Sequence, residues 1–223
     1  VRDLFAAATR PDMISFSGGM PEIRRVPIDS VIAATTAALR HSGTEALQYG
    51  SSEGRVQIRD VVVGLMGEVG VRVKHDDLVI TAGAQQALDL LAKIFIDPGD
   101  TIITEGPTYL GALQAFSAYQ PNVVCIPMDA EGMRIDLLAA ELERLGPRGA
   151  KFIYTIPNFQ NPAGVTLTPS RRRELLDLAR EYDIPVIEDD PYGRLRFEGG
   201  HALPLRALDD EVIYLGTFSK IFA

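Results

Sequence analysis

Cysteine and histidine are scarce in this sequence. Its 223 residues include one cysteine, Cys125, and three scattered histidines, His41, His75 and His201. A single cysteine excludes a disulfide framework and favours an intracellular setting, so we expect a cytoplasmic protein. Cys125 lies in the apolar run 123–126, which predicts a core position for its side chain. Because the histidines lack metal-ligand spacing, we predict no metal site.

The sequence also lacks long apolar runs and an excess of positive charge. No run is long enough to span a bilayer, and no basic segment followed by an apolar one opens the chain as a secretion signal does. The formal net charge is -8, so we expect no affinity for nucleic acid or for anionic membranes. Hydrophobic residues make up 46% of the chain, which is typical of a folded core rather than of a disordered chain.

Short apolar runs alternate with amphipathic helical patterns along the chain. Strands are predicted at 78–81, 101–104, 123–126, 151–156, 185–188 and 212–215. Helices are predicted at 29–39, 55–69, 84–95, 108–119, 134–145 and 168–182. Because the strands do not alternate between apolar and polar residues, both of their faces should be buried. We therefore predict an α/β fold, with a mostly parallel central sheet and helices on both faces in three layers.

Ligands of such sheets bind beyond the carboxyl ends of the strands, so the residues at those ends matter most. Gly83, Ala84 and Gln85 follow one strand and open a helix, where free backbone amides form an anion site. Many α/β turns contain glycine, so this feature is weak by itself. Tyr109 follows the next strand and is either an aromatic surface for a ligand or a packing residue.

Three further strands end in residues that carry chemistry. Asn161 precedes a proline, which holds its backbone extended and leaves its amide available as a donor. Asp189 follows a buried strand and has a phenol, Tyr192, three residues further on. A metal site is the alternative for the three consecutive acids at 188–190, but no histidine or second acidic cluster accompanies them. Lys220 follows Thr217 to Ser219 after the last predicted strand. It is either a solvated loop residue or an amine that attacks a carbonyl.

Together these features match the needs of pyridoxal phosphate. A lysine forms a Schiff base with its aldehyde, and a carboxylate keeps its pyridine nitrogen protonated. Amide and phenol donors bind the ring oxygen, an aromatic side chain stacks on the ring, and helix-start amides with hydroxyls bind the phosphate.

Six motifs in this order resemble the fold-type-I pyridoxal-phosphate-dependent aminotransferases of class I/II. They are Tyr49-Gly50 with Gly54, Thr81 to Ala87, Gly106-Pro107-Thr108-Tyr109, Asn161-Pro162-Ala163-Gly164, Asp189-Asp190-Pro191-Tyr192 and Thr217-Phe218-Ser219-Lys220. The segments 16–21 and 157–162 resemble the branch that contains 2-aminoadipate and kynurenine aminotransferases. The resemblance covers essentially the whole chain.

The resemblance implies a role for each matching position. Lys220 is expected to be the Schiff-base lysine, and Asp189 is expected to pair with the pyridine nitrogen. The remaining cofactor contacts are expected from Asn161, Tyr192, Tyr109, Gly83, Ala84, Gln85, Thr217, Ser219 and Tyr49. Tyr49 is expected to reach the phosphate of the neighbouring subunit, because such sites lie at the interface of a homodimer. Gly19, Asn161 and Arg2 are expected beside the substrate, Arg2 as a residue that recognises its side chain.

The chain departs from this family in two respects. Ala84 stands where many members have a hydroxyl, and the arginines that follow the lysine in the family are not in this sequence. With neither an initiator methionine nor a helix cap at its start, the chain reads as part of a longer protein. Residues 1–45 are expected to form an N-terminal helix and substrate-side segment, and residues 46–223 the cofactor-binding large domain. The small C-terminal domain would lie outside this sequence.

The predicted function is amino-group transfer from an amino acid to a 2-oxo acid such as 2-oxoglutarate. Two alternatives remain. The chain is also compatible with the aminotransferase-like, effector-sensing domain of a winged-helix transcription regulator. Such a regulator carries a basic DNA-binding module upstream of that domain. A lyase or decarboxylase on the same fold is the other alternative.

Overall fold

The computed structural model describes residues 10, 12–14, 19, 24, 26–200 and 202–221. Its α-helices are α1 (Ile28–Ala46), α2 (Val56–Glu68), α3 (Ala84–Phe95), α4 (Leu110–Ser117), α5 (Ile135–Leu145), α6 (Pro169–Glu181) and α7 (Leu205–Leu208). Two single 3-10 turns cover His75–Asp77 and Gly193–Leu195. The six strands are β1 (Thr101–Gly106), β2 (Asn122–Asp129), β3 (Gly132–Met133), β4 (Ile153–Thr155), β5 (Val186–Asp189) and β6 (Ile213–Leu215). The helix expected over residues 1–8 lies outside the described residues.

The strands form one sheet in the order β3-β2-β1-β4-β5-β6. Every pairing is parallel except the short β2–β3 hairpin, which is antiparallel. Helical crossovers connect the parallel strands, as parallel pairing requires. The predicted α/β class with a mostly parallel sheet is confirmed.

Helices cover both faces of the sheet because successive strand residues point to opposite sides. Ile153 and Val186 contribute to the core beneath α5, α6 and α7, with Leu138 and Leu175. Phe152, Tyr154 and Ile187 face the other way, into the core that includes residues of α3 and α4. Ile153 and Tyr154 therefore point to opposite faces of the sheet, although they are neighbours in sequence.

Two predictions for single segments are wrong. Residues 78–81 do not join the sheet, although Ile80 N–H donates to the carbonyl of Glu53 at 2.9 Å. No strand of the described chain offers them a ladder of hydrogen bonds. Cys125 is exposed rather than buried, and its Sγ lies 3.6 Å from the hydroxyl oxygen of Thr104. The face of β2 that carries Cys125 is only partly covered, whereas Ile126 on the opposite face is 3% exposed.

The parallel strands bring their carboxyl ends to one edge of the sheet, which we call the functional edge. Glu105 near the end of β1, Thr155 of β4, Asp189 of β5 and Leu215 of β6 mark it. The loops that follow these strands carry Tyr109, Asn161, Tyr192 and Lys220. The fold therefore gathers residues that are up to 111 positions apart in the sequence.

Arg172 of α6 binds the loop after β4 through hydrogen bonds. Its side chain is 1% exposed, which is rare for arginine. It donates to the carbonyls of Leu167 (3.0 Å), Leu203 (3.0 Å) and Pro157 (2.9 Å) and to Asn158 Oδ1 (2.8 Å). The guanidinium group thus satisfies four acceptors, three of them in buried hydrogen bonds.

Replacing Arg172 with methionine should lower the free energy of unfolding by about 3 kcal/mol or more, because buried acceptors lose their donors. Urea denaturation of the purified protein measures this loss. Arg173→Met, at an exposed position of the same helix, should change stability by no more than about 0.5 kcal/mol. Equal losses in the two variants would contradict a special role for Arg172.

Candidate active site

Lys220 lies in the turn after β6, beside Gly19 and Tyr192. Its Nζ donates a 2.7 Å hydrogen bond to the carbonyl of Gly19. A Cβ atom on Gly19 would lie 3.8 Å from Lys220 Nζ and 3.7 Å from the Tyr192 hydroxyl. Gly19 has a φ of +55°, a conformation that side chains rarely adopt. The lysine amine is therefore in contact with a backbone segment 201 residues away in sequence.

Asp189 ends β5 and is 4% exposed. Its Oδ2 accepts a 2.7 Å hydrogen bond from the Tyr154 hydroxyl. Burial raises the pKa of Asp189 to about 6, and the bond from Tyr154 opposes that rise. The group is thus a buried carboxylate with one phenol donor, at the edge where Lys220 also lies.

The two acids that flank Asp189 have structural partners. Glu188 is fully buried and accepts the backbone N–H groups of Leu205 and Arg206, both at 2.9 Å, so it holds the start of α7. Asp190 accepts from the Asn158 side chain, the Gly193 N–H and the Tyr214 hydroxyl. Among the described residues there is no group of three or more His, Cys, Asp or Glu side chains arranged to hold a metal ion.

Asn161 and Tyr192 meet across two loops. Asn161 Nδ2 lies 3.4 Å from the Tyr192 hydroxyl, at the long end of hydrogen-bond distances. Burial raises the pKa of Tyr192, and the contact with Asn161 lowers it. The amide and the phenol therefore converge as two donors near Lys220.

Tyr109 caps the N-terminus of α4 rather than lying in its first turn. Its ring packs so closely on Gly111 that a Cβ there would fall 2.4 Å from a ring carbon. Burial and then the charge of Asp189 raise the pKa of Tyr109, so these two side chains influence each other electrostatically. Gly111 gives Tyr109 the space for this position.

The start of α3 has the geometry of an anion site. Gly83 is its N-cap, with a φ of +99° and no side-chain cap. The first turn, which includes Ala84 and Gln85, leaves backbone N–H groups without helical partners. Gln85 Nε2 donates to the carbonyl of Gly111 at 2.8 Å, which uses one of its two amide hydrogens.

Thr217 and Ser219 line the same cavity as Gly83, with a volume of about 720 Å³. The Thr217 hydroxyl donates to the Ser219 hydroxyl at 3.0 Å. Apolar side chains of α2, residues 78–80 and β6 line much of the rest of this cavity, together with charged residues such as Asp190, Arg194 and Arg206. The cavity borders the hydroxyls and the start of α3, whereas Lys220, Asp189 and Asn161 do not line it.

Two of the predicted residues are not brought to this site. The Tyr49 side chain is fully exposed, and Arg2 lies outside the described residues. Gly19 contacts Lys220, and the other predicted residues lie at the functional edge or at the start of α3.

Comparison with known proteins identifies the family. The model of the family "Aminotransferase class I and II" matches residues 11–223. The chain belongs to the class I and II aminotransferase family.

The relatives and solved structures include several aminotransferases. The aromatic-amino-acid aminotransferase 1 of Thermococcus litoralis is 46% identical over 100% of this chain and 55% of that protein. The 2-aminoadipate transaminase of Thermus thermophilus is 39% identical, again over 100% and 55%. The kynurenine aminotransferase of Pyrococcus horikoshii, solved in complex with PMP, has a TM-score of 0.92 at 43% identity and covers 100% of this chain and 56% of that one.

Transcription regulators match at lower identity. The uncharacterized HTH-type regulator YisV of Bacillus subtilis is 33% identical over 95% of this chain and 43% of that protein. The chain spans about 55% of the length of the first curated aminotransferases that it matches.

Sequence reasoning missed two polar residues of this aminotransferase chain, Tyr154 and Glu105. Tyr154 lies in the same core cluster as Phe152, the residue before β4, and looks like a core residue in sequence. Glu105 near the end of β1 occupies a strand-end position like that of Asp189, and this was a usable signal. Glu105 accepts from Thr155 Oγ1 at 2.6 Å, from Ile156 N at 3.2 Å and from Gln160 Nε2 at 2.9 Å.

Gln160 connects Glu105 to the loop of Asn161. Its Nε2 also donates to the carbonyl of Pro107 at 2.9 Å, and its Oε1 accepts from Ala163 N at 2.9 Å. One buried carboxylate thereby joins the loop after β1 to the loop after β4. Burial raises the pKa of Glu105 to about 7 despite its three donors.

Glu105 should make stability depend on pH. Its folded pKa is raised above 4.5, so the folded state binds the proton more tightly, and stability falls as pH rises from 4.5 to about 7. The loss should reach about 3 kcal/mol from this group. Glu105→Gln removes the titrating group, so chemical denaturation at several pH values should show a shallower decline.

Glu143→Gln is the matched control, because Glu143 is an exposed residue of α5. Glu188 and Asp189 titrate in all three proteins, so only the difference in slope is informative. If the free energy of unfolding declined equally steeply with pH in Glu105→Gln and in the wild type, Glu105 would not be the titrating group.

Proposed function

We propose that the full-length protein is an aminotransferase that moves an amino group from an amino acid to a 2-oxo acid, with pyridoxal phosphate as its cofactor. The observation that carries the proposal is the placement of the Lys220 amine and the buried Asp189 carboxylate at one sheet edge. Family membership and relatives with transaminase names support the same activity.

The residues at the functional edge fit this cofactor. Asp189 is a buried carboxylate suited to a protonated ring nitrogen, and Asn161 and Tyr192 converge as donors for the ring oxygen. Tyr109 offers an aromatic face near Asp189. The start of α3, from Gly83 to Gln85, would hold the phosphate together with Thr217 and Ser219, which border the same cavity as Gly83.

When bound, pyridoxal phosphate supplies a carbonyl for an amine and a ring that accepts electrons. Lys220 would hold the cofactor covalently and then carry a proton at Nζ to and from the substrate α-carbon. Asp189 would keep the ring nitrogen protonated from inside the protein. The backbone of Gly19, which contacts Lys220, and the amide of Asn161 would border the substrate.

We propose an amino acid with an aromatic or an acidic side chain as the amino donor and 2-oxoglutarate as the acceptor. The names of the relatives support this class, since they include an aromatic-amino-acid aminotransferase and a 2-aminoadipate transaminase. The regulator alternative is not favoured, because the relatives with regulator names match at lower identity. A lyase or decarboxylase activity is supported by none of the names reported above.

Lys220→Ala should abolish transamination and covalent attachment of the cofactor, because no other group replaces its amine. Full-length protein treated with pyridoxal phosphate and borohydride should gain the cofactor mass on the peptide that contains Lys220, as seen by mass spectrometry. Lys93→Ala, on the exposed side of α3, should retain both properties. Labelling that persists in Lys220→Ala at the wild-type level would refute the proposal.

We also propose a homodimer with shared active sites. No residue of α1 is buried in the described chain, and Ile28 and Ile32 of α1 are 60% and 58% exposed. Leu47 and Tyr49 after this helix are 81% and 100% exposed. A second copy of the chain would cover this apolar surface and receive Tyr49 at its phosphate site.

Mixed dimers test whether Tyr49 acts in the partner's site. Dimers with Lys220→Ala in one subunit and Tyr49→Ala in the other would have one doubly damaged and one intact site, because each site combines both chains. Differently tagged heterodimers, purified after co-expression, should regain about half of the wild-type activity per dimer. If Tyr49 serves its own subunit, every site carries one defect and activity should not exceed that of the two parent variants.

A further inference from the structure

We propose that Tyr154 is a positioning residue for the reaction: its hydroxyl fixes the Asp189 carboxylate in place and keeps it ionised. The inference rests on the proposed function, because it assigns a support to the carboxylate that would hold the ring nitrogen. Tyr154 does not itself reach a bound ligand, since its side chain is fully buried in the sheet core.

The contact between the two side chains is short and buried. The Tyr154 hydroxyl donates to Asp189 Oδ2 at 2.7 Å, a typical length for a charge-assisted bond between hydroxyl and carboxylate. Tyr154 is 0% exposed and Asp189 is 4% exposed. In such an environment a hydrogen bond is stronger than in water, and its loss leaves a buried charge without a donor.

The backbone register determines this contact. Tyr154 of β4 is paired with Ile187 of β5, and Asp189 lies two residues beyond Ile187 on the same face. The tyrosine ring is further held by Phe116, whose ring meets it edge-on at 5.4 Å and 81°. The hydroxyl is thus a rigid donor, positioned by the sheet and by α4.

The surroundings of Asp189 oppose its ionisation. Asp190 is its neighbour in sequence. Glu105 of β1, Tyr109 of the loop after β1 and Tyr192 of the loop after β5 also interact with Asp189 electrostatically. Burial and the Asp190 charge raise the pKa of Asp189, and the bond from Tyr154 is the contribution that lowers it.

The Tyr154 hydroxyl keeps its proton throughout the neutral pH range. Burial and the Asp189 charge raise the pKa of Tyr154 well above its ordinary value. Without this hydroxyl the pKa of Asp189 should rise further, and more of the carboxyl would be protonated at neutral pH. A protonated carboxyl cannot stabilise a positive charge on a ring nitrogen.

Tyr214 provides a matched control. Its hydroxyl donates to Asp190 Oδ2 at 3.1 Å, so Tyr214→Phe also removes a phenol that serves a carboxylate. Asp190 keeps two further donors, the Asn158 side chain and the Gly193 N–H. A general effect of removing a phenol hydroxyl that serves a carboxylate should appear in both variants, whereas a specific effect on Asp189 should appear only in Tyr154→Phe.

The test is a carboxyl titration by carbon-13 NMR of cofactor-free, full-length protein labelled at aspartate, with Asp189→Asn to assign the signal. Tyr154→Phe should raise the pKa of Asp189 by about one pH unit, a tenfold change in proton affinity. Tyr214→Phe should leave it unchanged. An Asp189 pKa equal in the wild type and in Tyr154→Phe would overturn the inference.

A second variant keeps the inference testable if Tyr154→Phe does not fold. 3-Fluorotyrosine at position 154 retains the ring and makes the hydroxyl a stronger donor, so the pKa of Asp189 should fall. A pKa that does not fall would count against the inference.

Both titrations are made without cofactor or substrate. Absent transaminase activity in the wild type would therefore refute the proposed function and leave the titration result standing.

Discussion

Parallel hydrogen bonding between β1, β4, β5 and β6 is the constraint on which the rest of the site depends. Because all four strands run in one direction, their carboxyl ends form a single edge, and Glu105, Thr155 and Asp189 lie beside one another there. The loops that continue from this edge carry Tyr109, Asn161, Tyr192 and Lys220. A reversed strand would place its loop at the opposite edge and remove its residues from the site.

The functional edge buries acidic groups, and each has donors from other elements. Glu188 accepts backbone amides of α7, and Glu105 accepts from β4 and from the loop after it. Asp189 has the Tyr154 phenol. Burial of a charge is unfavourable unless hydrogen bonds compensate it, so these contacts both stabilise the edge and connect the loops to the sheet. Stability and the placement of functional side chains therefore depend on the same bonds.

The electrostatics of Asp189 link this framework to chemistry. A carboxylate with a pKa near 6 is ionised at neutral pH, but a modest change in its surroundings alters that state. The phenol of Tyr154 and the charge of Asp190 act on it in opposite directions. A rigid donor on the neighbouring strand is suited to keeping Asp189 ionised, because the sheet holds the distance between the Tyr154 hydroxyl and the carboxylate constant.

The sequence by itself determined the strand–helix alternation, the parallel sheet and the identity of most strand-end residues, since apolar periodicity and turn chemistry are local properties. The helix predicted over 168–182 forms as α6, with Thr168 as its N-cap and Pro169 as its first residue. Only the tertiary structure decided that Asp189, of three consecutive acids, receives the Tyr154 hydroxyl. Glu188 instead accepts two backbone amides, and Asp190 accepts from Asn158, Gly193 and Tyr214. It also decided that Cys125 is exposed and that residues 78–81 stay outside the sheet. The physical reason is that strand register, and the cover that helices give to each face, depend on contacts between residues far apart in the chain.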